Sequence, residues 1–134
     1  QNIEFKAQYF DTTLQGNTKA FILHIENKGT SSIIIPGSSF LERFGTHSIN
    51  QIGYSVFRKN KAVDCDYFYN GDPIPRQRKL APGDSLTLRV ILPGLCYKTG
   101  KRYKAVFYLK YNLDDSVSGK NGEAEKVSNA VYFF

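Results

Sequence analysis

The groups able to do chemistry are few. The chain has two histidines, His24 and His47, and two cysteines, Cys65 and Cys96. His24 lies in an alternating stretch, on the polar side opposite Phe21, Leu23 and Ile25, and His47 lies in an irregular one. A catalytic triad is assembled in space, so sequence spacing alone does not exclude one. No Gly-x-Ser-x-Gly elbow is present, however, and neither cysteine has the surroundings of a protease nucleophile. The same four residues make no zinc-binding pattern. Asp64 and Asp66 flank Cys65, and strand alternation puts both carboxylates on one face and the thiol on the other. Such a pair does acid–base work only when burial splits its two pKa values. Otherwise it makes a solvated sheet face. Asn112, Asp114, Asp115, Asn121 and Glu123 form an oxygen-rich stretch. Calcium takes roughly 6–8 oxygens, but the EF-hand spacing is absent. The expectation is a chain with no catalytic residue, no metal and no cofactor.

The charges are more suggestive. Formal net charge is +6, and it is unevenly spread. Between Arg58 and Lys110 there are 12 basic and 4 acidic residues, whereas residues 1–57 balance at 4 and 4. Two basic groups stand out: Arg76, Arg78 and Lys79, then Lys98, Lys101, Arg102 and Lys104. Tyr67, Phe68, Tyr69 and Tyr97 lie near them in sequence. Cations beside aromatics read nucleic acid or acidic glycans, and Tyr and Arg are equally the usual anchors of protein interfaces. A plain cationic face over core aromatics has the same composition. Asp64, Asp66 and Asp72 would offset part of this charge.

These side chains need strands to hold them. Ile3 to Phe10 alternates apolar and polar residues, as do Lys19 to Glu26, Gln51 to Arg58, Ser85 to Leu92 and Tyr103 to Tyr111. A period of two predicts strands with one buried face. Ile33 to Ile35 is a short buried strand stopped by Pro36-Gly37. Lys59-Asn60-Lys61 predicts a hairpin turn leading into Ala62 to Tyr69. Asn70 to Lys79 reads as a loop that Pro73 and Pro75 pre-order, and Asp114 to Glu123 as a polar loop. Pro82-Gly83-Asp84 is a turn, because Pro presets φ and Gly supplies a positive one. The stretch from Lys79 to Tyr111 then reads as a turn, a strand, a Cys-bearing loop and a second strand, a central hairpin. Lys126 to Phe134 reads as one last strand. It is apolar on both faces, so it is either central or meets a partner. Phe40, Leu41 and Phe44 are the one candidate helical turn. About seven to nine strands separated by turn signals predict an all-β, antiparallel sandwich.

A chain of 134 residues supports a single domain, residues 1–134. No apolar run reaches the roughly 20 residues that span a bilayer. Two cysteines without a CxxC allow one bridge, Cys65–Cys96, or two separate buried thiols. The bridge would stabilise by roughly 3–4 kcal/mol in the chain-entropy account. The chain starts at Gln1 and has no Met. Removal of a signal peptide before Gln1 would explain this and place the protein outside the cytoplasm, secreted or periplasmic, and trimming would explain it as well.

Leu80-Ala81-Pro82-Gly83-Asp84-Ser85, followed by Gly100-x-x-Tyr103-x-Ala105-x-Phe107, resembles the late strands of immunoglobulin-like and fibronectin-III-like sandwiches. Together with Ile22 to Gly29, which ends in Asn27-Lys28-Gly29, the outline is similar to small bacterial immunoglobulin-like proteins of proteinase-inhibitor and protease-prodomain type. The resemblance implies an immunoglobulin-like sandwich in which Tyr103 makes a tyrosine corner. The Cys-Trp-Cys signature of antibody domains is absent: there is no Trp, and Ala105 stands in place of the second Cys. Small size, one domain, a possible staple and charge bias lead to the functional expectation of a non-catalytic, extracytoplasmic protein-binding module. Within that class, a stoichiometric inhibitor or immunity-type protein is favoured. Its partner would be a protein with an acidic surface, met by Tyr67, Tyr69, Pro73, Pro75, Arg76, Arg78, Lys79, Tyr97, Lys98, Lys101 and Arg102. The alternative is an accessory or adhesion domain for an acidic polymer, glycan or nucleic acid.

Overall fold

The computed structural model describes residues 2–10, 19–35, 47–49, 52–63, 77–92, 97–98, 100–113 and 123–134. Eleven strand segments run through them: β1 Ile3–Phe10, β2 Lys19–Asn27, β3 Ile33–Ile35, β4 His47–Ile49, β5 Ile52–Arg58, β6 Lys61–Ala62, β7 Arg78–Leu80, β8 Ser85–Leu92, β9 Tyr103–Leu113, β10 Glu123–Val127 and β11 Val131–Phe133. All pairings are antiparallel. No helix occurs among the described residues. The candidate helical turn at Phe40, Leu41 and Phe44 lies outside them. The segment count exceeds the expected seven to nine because β4, β6 and β7 are only two or three residues long and the last strand is broken in two.

One sheet has the order β1-β2-β8; the other is built on β9, which pairs with β5, β3, β10 and β11. The period-two pattern gives each sheet one apolar face. Ile3, Phe5, Phe21, Leu23 and Ile25 point inward from the first sheet, and Ala105, Phe107, Leu109 and Phe133 from the second. Phe21 stands at the centre, with ring centroids 5.2 Å from Phe107 and 5.4 Å from Phe133, both edge-on. Burying each such ring stabilises by about 2–3 kcal/mol.

The central stretch is not a hairpin. β8 pairs with β2 and β9 lies in the opposite sheet, so residues 93–102 connect the two layers. The hydroxyl of Tyr103 accepts the Lys98 N–H at 2.7 Å, the backward bond expected of a tyrosine corner, as the chain enters β9. At the other end of β8, Ala81-Pro82-Gly83-Asp84 makes a tight turn with Gly83 at φ 89°. The Asp84 N–H donates to the Ala81 carbonyl at 2.9 Å, the closure of a type II turn with Pro second and Gly third.

The last strand is also not continuous. Val127 pairs with Tyr108, and the register resumes with Val131 opposite Ala105. Residues 128–130 therefore face only residues 106–107, which is a bulge of one extra residue. Ser128 fills the gap. Its N–H donates to the Phe107 carbonyl at 2.9 Å, and its Oγ accepts the Phe107 N–H at 3.0 Å. The bulge flips the pattern, so Val127 is left 48% exposed while Val131 and Phe133 are buried. It also aims Asn129 at the first sheet. The Asn129 Oδ1 accepts the Ala7 N–H at 2.8 Å, and its Nδ2 donates to the Ala7 carbonyl at 2.9 Å. One side-chain amide thus pairs with β1 as a neighbouring strand would.

Candidate functional site

At one end of the second sheet, three pieces of chain form a shallow groove of about 440 Å³. The first is the turn between β5 and β6. Lys59 and Asn60 have φ of 51° and 64°, and positive φ at both central residues is what a two-residue hairpin turn demands. Asn tolerates that conformation; Lys usually avoids it. The second piece is residues 100–102, entered at Gly100 with φ 79°. The third is β11 with Phe134.

The lining is Phe57, Arg58, Lys59, Asn60, Gly100, Lys101, Arg102, Tyr103, Lys104, Tyr132 and Phe134. It contains five cations and no acidic side chain. The ion pairs among the described residues are Glu4–Lys6, Glu4–Lys28 and His24–Glu26, so none reaches these cations. Strand register sets a row across the outer face, with Phe57 opposite Lys104 and Lys104 opposite Tyr132. The Lys104 Nζ lies 5.1 Å from the Phe57 ring centre, and the Arg102 guanidinium carbon 4.1 Å from that of Tyr132. Cations over ring faces are attracted by the ring quadrupole and keep most of their N–H groups free. Tyr132 and Phe134 are 50% and 63% exposed.

The structure divides the expected interface. Lys101 and Arg102 line the groove, and Lys98 is exposed at the preceding turn. Tyr97 is not at the surface: it is 6% exposed, and its ring packs against Tyr103 at 5.1 Å and Phe133 at 5.5 Å. Arg78 and Lys79 are not in a loop; they form β7 against β3. That strand joins β9 at residues 112–113, while the groove lies at Lys104. Eight residues of extended strand separate the two places by roughly 27 Å, well beyond the screening length of about 8–10 Å. The two basic groups are separate features. Tyr67, Tyr69, Pro73, Pro75 and Arg76 lie outside the described residues, as do Asp64, Asp66, Asp72 and both members of the Cys65–Cys96 pair.

Sequence reasoning missed Phe57, Arg58, Lys59, Tyr132 and Phe134. The signal for the last two was present in a final strand apolar on both faces. Arg58 and Lys59 showed only as part of the basic stretch that starts at Arg58, and Phe57 gave no signal, because cross-strand register is what brings it opposite Lys104.

His24 has partners on both ring nitrogens. Nδ1 lies 3.3 Å from the Thr87 Oγ1 and Nε2 3.6 Å from a Glu26 carboxylate oxygen. Hydroxyl, imidazole and carboxylate in a row is the order of a catalytic triad. A hollow of about 550 Å³ adjoins His24, lined by Glu4, Lys6, Ala7, Gln8, Ile22 and Asn129. Thr87 is on β8, on the other side of β2 from β1, and does not line that hollow. Nearby, Lys28 and Lys6 hold the Glu4 carboxyl below its usual pKa, with Lys28 Nζ at 2.6 Å. The side chain of His47 is not among those described. The oxygen-rich stretch loses both its ends to the sheet, since Asn112 and Glu123 pair with each other in β9 and β10. No cluster of three or more potential metal ligands occurs among the described residues, and no described helix is long and apolar enough to cross a membrane.

No family model matches the chain, and no curated protein matches it. Among solved structures, a protein from Archaeoglobus fulgidus is similar at 11% identity, with a TM-score of 0.44 over 99% of this chain and 94% of that one.

Proposed function

We propose that this chain is a non-catalytic, extracytoplasmic protein-binding module of immunoglobulin-like type, an inhibitor or immunity-type protein, and that the acidic surface of its partner docks at the groove. The observation that carries the reading is the convergence of Arg58, Lys59, Lys101, Arg102 and Lys104 on an aromatic floor without one acidic side chain. Like charges held in a concave surface repel one another and raise the local potential. An acidic partner relieves that repulsion, and exposed Tyr and Arg are the residue types that anchor protein interfaces. The groove is built largely on strand ends and a two-residue turn, so little ordering entropy is spent on binding.

The test is affinity capture from secreted and envelope fractions of the source organism, washed at low and high salt. The wild-type chain and an Arg102→Glu/Lys104→Glu variant serve as baits. One protein held in stoichiometric amount at high salt by the wild type, and lost by the variant, is the expected result. Capture of polyanions alone, released as salt rises, would replace this reading with the acidic-polymer one. Equal retention by the variant would remove the groove from the account.

A further inference from the structure

The geometry points to a specific occupant for the groove: a short acidic peptide segment of the partner carrying one apolar anchor. This rests on the protein-binding reading of the same groove. The groove has two unlike parts. In the first, Lys104 covers a face of Phe57 and Arg102 covers a face of Tyr132. Those ring faces are already occupied by cations, so they offer an incoming group charge rather than apolar surface. The guanidinium fork of Arg102 still presents N–H groups in the geometry that suits a carboxylate.

The second part is Phe134. It follows Tyr132 by two residues, just past the end of β11, and lines the same groove. Its ring is 63% exposed, and none of the described rings or cations is stacked on it. One bare ring beside two cation-covered rings matches a ligand with carboxylates at one end and a single apolar side chain at the other. A polynucleotide is a poorer match, because its successive bases need successive bare rings. A uniform polyanion would leave Phe134 unused. The volume of about 440 Å³ is in the range of sites that enclose a small ligand or a few side chains.

Fluorescence anisotropy with defined probes tests this. The probes are a short labelled peptide of Glu and Asp with one central Phe, the same peptide with Ser in place of Phe, and labelled oligothymidylate. The wild-type chain should bind the Phe peptide about tenfold more tightly than the Ser peptide, the scale expected for burying one ring. Phe134→Ser should erase that difference and keep the salt-dependent part. Arg102→Gln with Lys104→Gln should weaken both peptides. Arg102 and Phe134 are exposed and Lys104 is half-buried, and matching thermal melts check that the variants fold. Equal binding of the two peptides, a Phe preference that survives Phe134→Ser, or tighter binding of oligothymidylate would each overturn the inference. If neither peptide binds but the captured partner is still lost by the Arg102→Glu/Lys104→Glu bait, this inference falls and the protein-binding reading stands. If the capture also yields no protein, both fall.

Discussion

Polar groups meet opposite fates at Asn27 and in the groove. Asn27 is fully buried at the end of β2. Its Nδ2 donates to the carbonyls of Ser31 at 2.9 Å and Leu80 at 3.0 Å, and its Oδ1 accepts the Gly29 N–H at 3.0 Å. Its backbone N–H donates to the Asp84 carbonyl and its carbonyl accepts from Gly83. One residue thereby ties the turn after β2 to the turn before β8. The groove cations are exposed or half-buried, and no acid within reach of them is described. Polar groups whose partners all lie inside the chain hold the fold together. Charges gathered on a shaped surface over aromatic rings, with no acidic side chain to pair with there, are left for something outside it. Buried groups do not have that freedom, because an unmade hydrogen bond costs the full desolvation of the group.

Three variants would break or sharpen this contrast. The largest effect is expected at Asn27. Asn27→Ala removes the side-chain bonds to two carbonyls and an N–H, and should cost about 3–5 kcal/mol, read as a lower midpoint in urea unfolding. A loss under about 1 kcal/mol would mean that the turns hold without it. Next is Asn129→Ala, which removes both bonds to Ala7. A cost of about 1–2 kcal/mol is expected, and amide exchange should speed up at Ala7 while the Phe21 amide keeps its protection. Smallest is Lys101→Gln with Lys104→Gln. Taking away two repelling charges should leave the melting temperature unchanged or slightly raised, most visibly at low salt. A clear drop would show that these cations serve stability, and the contrast with Asn27 would fail.

Much of the fold was legible in the residues. Ile3–Phe10, Ile33–Ile35 and Ser85–Leu92 begin and end where alternation and turn residues place them. The Tyr103 bond to Lys98 was implied by a short motif. The break at Ser128 was not legible, because Lys126 to Phe134 keeps an acceptable alternation straight through it. What breaks the strand is Ser128 substituting for backbone in the ladder, an interaction with Phe107 that no local pattern records. Tyr97 misled for a related reason: an aromatic beside lysines has the same local appearance whether its ring faces solvent or packs edge-on against Phe133.

The contrast between β8 and β9 draws the boundary. Each is plain in the sequence, because the side-chain period of a strand is a local property of the backbone. Their neighbourhood in sequence suggested a hairpin, and the fold puts them in different sheets. Which strand pairs with which depends on closing long loops over a shared core, and that free energy belongs to the whole chain. The groove follows from it. Lys101, Arg102 and Lys104 were visible as a basic run, but Phe57 and Tyr132 come alongside only because β5 and β11 both pair with β9. The cations were determined by the sequence alone; the aromatic floor beneath them was decided by the tertiary structure.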